Sequence, residues 1–216
     1  FVREVVAGGV ASRNTATAFL QEMQHYGIIA VADRQSDRRM RLLAPSQTTI
    51  DAITLWVRIH LHTLDMLDGG ARVDRLDACP DAVACLQPRI ARALVASTEI
   101  REPGDPLAHF MWINDGFLMV ERIFVTLVEQ SSDGMRHVTN MSSMAEIASG
   151  LNLSGAHAGK KLRQAERAGI LGRQVDDGRT RIWVSSALID AVLRVQAAKL
   201  SIIDEAFNAV YGQAEN

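Results

Sequence analysis

The chain has 216 residues, two cysteines and a formal charge of −2, with 22% of its residues charged. That length suits one large domain or two small ones, and the composition is ordinary for a soluble globular protein. Cys79 and Cys85, in "CPDAVAC", have no CxxC spacing and no nearby His, which excludes a zinc set; a reduced, cytoplasmic chain with two semi-buried helix cysteines is expected.

Along the chain, "FVREVVAGG" opens on a helix-like pattern without Met, so a leading segment ahead of Phe1 is expected. Ser12 then begins "SRNTATAFLQEMQHYGII" and reads as the N-cap of a helix that Gly27 ends. Ala16, Phe19, Leu20 and Met23 make its apolar face; Asn14, Thr17, Gln21 and Gln24 make the polar one. A short strand, a charged loop and a second strand follow in "IIAVADRQSDRRMRLLAPS". Residues 48–67 and 81–97 read as helices, the second carrying Pro88, which should start or kink it. "EIREPGDP" (99–106) reads as a linker, residues 107–130 as a long apolar helix, and 186–211 as an amphipathic terminal helix. The run "FLMVERIFVTLV" is too short for a bilayer and carries Glu121 and Arg122, so no membrane partner is expected.

Glu4 and Glu146, Gly8 and Gly150, Ser12 and Ser154, Leu20 and Leu162, and Gly27 and Gly169 all stand 142 positions apart. The second copy reads like the first: a short helix, a turn, a Ser154-capped helix, then a hairpin in "ILGRQVDDGRTRIWVSS". "RLLAPS" and "RIWVSS" align at an offset of 140, which makes the first copy's loop two residues longer. Charge follows the repeat. Residues 1–46 balance to +2 (six Arg/Lys, four Asp/Glu) and 144–186 to +3 (seven, four), with −5 (eight, thirteen) over 47–143 and −2 (two, four) over 187–216. Two mildly basic modules are thus separated by an acidic one.

Helix, turn, helix and hairpin make a winged helix-turn-helix. The free start of the second helix suits a major-groove edge, and the hairpin sets basic residues beside the neighbouring backbone. The expected fold is mainly α with short β-hairpin wings: tandem modules joined by a helical, dimerisation-like region. Its parts are 1–46, connecting helices and linker 47–105, a second module with its leading helix 106–186, and a C-terminal helix 187–216. The expected partner is double-stranded DNA. In the first copy Ser12, Arg13, Asn14, Thr15, Thr17 and Gln21, with Arg38, Arg39 and Arg41 of the hairpin, are the candidate contacts. In the second they are Ser154, His157, Lys160, Lys161 and Arg163, with Arg179 and Arg181. Gly155, Ala156 and Gly159 stand where the first copy has Arg13, Asn14 and Thr17, and cannot hydrogen-bond base edges. Asymmetric readout follows: the first copy specifies, the second anchors on phosphate.

"SRNTATAFLQEMQHYGIIAVADRQSDRRMRLLAPS" resembles the recognition helix and wing of MarR-type regulators, whose wing carries a D-x-R signature. Asp37-Arg38-Arg39 fits that signature well, Asp177-Gly178-Arg179 more loosely. The chain is similar to two such subunits fused, a single-chain pseudo-dimer or, if two chains associate, a homodimer. The resemblance implies a cytoplasmic transcriptional repressor, with a small effector between the helical core and a winged helix. Trp56, His60, His109 and Trp112 are the candidate effector contacts; core or interface aromatics are the plainer reading of them. His60 and His62 are two apart on a helix and face different ways, against joint metal ligation. No nucleophile elbow, phosphate-binding glycine loop, HExxH or convincing carboxylate pair is present, so no catalytic residues and no cofactor are expected. The alternative is a winged-helix protein-interaction module that does not bind DNA.

Overall fold

The computed structural model describes residues 1–32, 42–79, 81–111, 116–131, 134–151 and 155–212. They are mainly helical with two small antiparallel sheets. They form two compact units, 1–89 with 207–216, and 90–206. Among the described residues no helix is long and apolar enough to cross a membrane. Arg38, Arg39, Arg41, Trp112 and Ser154 lie outside the described residues.

The first unit holds α1 (Val2–Ala7), α2 (Arg13–His25), β1 (Ile29–Val31), β2 (Leu43–Pro45), α3 (Gln47–Asp68), α4 (Arg72–Asp77) and the start of α5 (Ala82–Ala96). Gly27 closes α2 in the left-handed region (φ 67°), and Ile28 N–H reaches back to the Met23 carbonyl at 2.9 Å. Ser46 caps α3, and its core residues Val57, Leu61 and Leu64 recur at i, i+4, i+7. Pro88 sits inside α5 rather than at its start.

The second unit contains α6 (Thr98–Arg101), α7 (Ala108–Met111), α8 (Gly116–Val125), β3 (Leu127–Gln130), β4 (Arg136–Thr139), α9 (Met144–Ala148), α10 (Gly155–Arg167), β5 (Leu171–Asp176), β6 (Arg179–Ser185) and most of α11 (Ser186–Tyr211). Its sheet runs β3-β4-β6-β5, all antiparallel. Met119, Val120 and Ile123 of α8 join Ile147, Leu162, Ile182 and Leu188 in one continuous core. Thr139, fully buried, ties β4 to β6 by donating to the Ile182 carbonyl at 2.9 Å.

Four expectations about elements and burial need correction. Residues 107–130 are not one helix: α8 stops at Val125, and 127–130 form β3. Val125, Thr126 and Val128 are β-branched, and the Thr126 hydroxyl donates back to the Arg122 and Ile123 carbonyls. The linker at 99–106 contains part of α6, capped by Ser97. Cys79 and Cys85 are both exposed and free, not semi-buried: Cys85 lies off the inward face of α5 that carries Ala82, Leu86 and Ile90, and Cys79 lies between α4 and α5, not on a helix. Phe19 is 46% exposed rather than core; its ring stacks on Phe1 at 6.2 Å.

The two hairpins share the hydrogen bonds at their bases. Ser46 N–H donates to Ile28 and Ser185 N–H to Ile170, at 2.9 and 2.8 Å. Each serine then caps the long helix that follows, through Thr49 N–H and Leu188 N–H. Pro45 pairs with Ile29 as Val184 pairs with Leu171. These pairings set the offset after the loop at 139, not 140, so the first loop is longer by three residues rather than two.

Candidate nucleic-acid interface

Ser12 takes extended backbone (φ −65°, ψ 159°), and its Oγ accepts the Thr15 N–H at 3.2 Å. That leaves the N–H groups of Arg13 and Asn14 directed out of the helix start, where partial positive charge collects. Thr15 Oγ1 lies 2.8 Å from Ser12 Oγ, and the Thr17 hydroxyl donates to the Arg13 carbonyl at 2.8 Å. Both threonines therefore engage their hydroxyls within the helix. Arg13, Asn14 and Gln21 are exposed on its outer face.

α10 has the same 13 residues of length. His157, Lys160 and Arg163 are exposed. A Cβ on Gly159 would stand 3.2 Å from Arg163 Nη1, so the glycine lets that guanidinium lie back along the helix. Lys161 is half-buried, and its carbonyl lies 3.1 Å from His109 Nε2. This bond fixes His109 against α10.

The β5–β6 hairpin closes on Asp177 and Gly178, both left-handed (φ 49° and 75°). A two-residue turn of this type needs positive φ at both positions, which Asp-Gly supplies. Arg179 is exposed beside the turn. Arg181, two residues on, shares its face and donates to Glu129 of β3 at 3.2 Å. Arg136 caps the Trp183 ring at 4.3 Å from its centroid.

Sequence reasoning missed Glu129, which lay in the segment read as one helix, and gave Arg122 no role beyond its charge, because its carbonyl partners lie 24 or more residues away. Arg122 donates to the Glu146 and Ile147 carbonyls at 3.1 and 3.3 Å, and also to the Ser149 carbonyl, which binds the end of α9 to α8. At the other end of α9 the Ser142 hydroxyl donates to Glu146 at 2.5 Å. This bond, with the Ser142 N–H and the Ser143 hydroxyl, holds the Glu146 carboxyl below its usual pKa. α9 is thereby fixed at both ends ahead of α10.

Of the candidate effector residues, Trp56 and His60 belong to the first unit, His109 to the second, and Trp112 lies outside the described residues. Trp56 and His60 stack on α3 with ring centroids 4.1 Å apart, and His60 Nδ1 lies 2.8 Å from the Trp56 carbonyl, a local arrangement within one helix. His109 belongs to the second unit and lines a cavity of 460 Å³ with Asp105, Pro106, Gly169 and Ser185. No group of His, Cys, Asp and Glu among the described residues could hold a metal ion.

Comparison with protein-family models, with curated proteins and with solved structures found no match for this chain.

Proposed function

We propose that the chain is a sequence-specific DNA-binding regulator of transcription, a repressor built from two winged helix-turn-helix modules and similar in plan to MarR-type subunits. The observation that carries this reading is the pairing, in each unit, of an exposed polar 13-residue helix with a hairpin that follows it directly. In the second unit that hairpin carries Arg179 and Arg181. Arg13 and Asn14 supply donors and acceptors that base edges recognise, while Lys160 and Arg163 supply charge for phosphate. The first module specifies and the second anchors. The cavity beside His109 is the seat for a small ligand that would relieve repression, since it adjoins both the hairpin and α10.

A second reading has its own support. Phe19, Tyr26 and Val31 are 46%, 64% and 54% exposed in the first unit, an apolar surface that suits a protein partner. Retardation of random genomic fragments separates the two. DNA binding that weakens as salt rises is expected of the regulator. No retardation at low salt would favour the interaction module.

A further inference from the structure

We infer that Glu129 is an electrostatic gate on the second hairpin: its carboxylate holds Arg181 in the free protein, and a nucleic-acid backbone phosphate replaces it on binding. The inference rests on the DNA-binding reading and deepens it. Arg181 Nη1 meets Glu129 Oε1 at 3.2 Å, with the two side chains 34% and 51% exposed, so the pair is open to an incoming anion. Glu129 stands on β3 and Arg181 on β6, with β4 between them, so Arg181 reaches across a strand to make the bond. A register shift between Leu127 and Glu129 lies at this point on β3, where a bulge re-aims the side chain that follows it.

The surroundings are those of an anion seat. The pair borders a cavity of 640 Å³ whose walls include Arg179, Thr180, Asn140 and Ser142, and Glu129 is its one acidic lining residue among the described residues. The Ser142 hydroxyl is committed to Glu146, which leaves the two guanidiniums and the Asn140 amide to face a ligand. With Glu129 in place the two arginines are half neutralised. With its carboxylate displaced, both are available to one phosphodiester. An exposed ion pair of this kind is weak, so exchange with phosphate is thermodynamically easy, and its removal is worth up to about fivefold in affinity.

The test is binding of a random-sequence DNA duplex at low salt by the full chain and by Glu129→Gln, Arg181→Gln and the double variant. Gln keeps the shape of Glu, and both positions are partly exposed, so folding is preserved. Glu129→Gln should tighten binding by about threefold to fivefold for every sequence alike, and the gain should vanish in the Arg181→Gln background. Unchanged affinity in Glu129→Gln, or a gain that persists without Arg181, overturns the gate while leaving DNA binding intact. Absence of binding by both the wild-type chain and Glu129→Gln overturns the DNA-binding reading itself, and the gate with it.

Discussion

Trp183 of β6 lies across Gly172 of β5 so closely that a Cβ on the glycine would stand 2.5 Å from the indole ring. The ring is also held by Arg136, whose guanidinium lies 4.3 Å from its centroid. Gly172→Ala therefore overpacks the hairpin, with an expected loss of about 1–3 kcal/mol in urea unfolding. An unchanged midpoint would mean that the indole swings aside at no cost.

Leu20 and Leu162 hold the same position in α2 and α10, yet Leu162 is 3% exposed and Leu20 is only half-buried. Ile28 and Ile170 differ likewise, at 36% and 8%. In the second unit α8 lends Met119, Val120 and Ile123 to the core around Leu162. Leu162→Ala should cost about 2–5 kcal/mol, and Leu20→Ala clearly less. Equal losses in chemical denaturation would show that the two helices are equally well covered.

Acid should weaken the turn between α3 and α4. Side-chain hydrogen bonding from Arg72 holds Asp68 at a pKa of about 2, against the ordinary 3.8. Burial would raise Asp65, but the Arg72 and Val73 N–H groups and the Arg72 guanidinium outweigh it and keep its carboxyl low. A depressed folded-state pKa stabilises above the unfolded value and is lost as pH falls through the folded one. Stability should thus drop between about pH 4 and pH 2. Arg72→Gln should make that drop shallower in urea titrations at stepped pH; an unchanged slope would place the acid sensitivity elsewhere.

Base reading and phosphate anchoring make separable predictions. Asn14→Ala should cut the preference for the best site over random duplex, with roughly 1–3 kcal/mol of discrimination lost. Lys160→Ala should weaken all duplexes alike and lower the salt slope by about one. If Lys160→Ala alone abolished specificity while Asn14→Ala did nothing, the roles of the two helices would be reversed.

Much of the local architecture was legible in the residues. Ser12 with Thr15, and Gly27 before an apolar step, mark the ends of α2 because capping and left-handed closure are written in a few adjacent residues. The helices over 48–67 and 186–211 were readable from apolar spacing: α3 is longer by one residue at each end, and α11 has the expected bounds. What was hidden depends on distant partners. β3 was lost inside an apolar run, since a short apolar run reads alike as strand or helix and only pairing with β4 separates them. Glu129 was lost with it. Phe19 reads as core at helical spacing, but burial needs a facing element, and none among the described residues encloses it. Of the candidate contacts, the described ones on α2 and α10 are exposed apart from half-buried Lys161, whereas the hairpin arginines of the first copy lie outside the described residues.

The most direct test of the central claim is retardation of random genomic fragments by the full chain across rising salt. The account predicts complexes at low salt that dissociate steeply as salt increases, with a subset of fragments retained longest. Absence of any complex at low salt would contradict it.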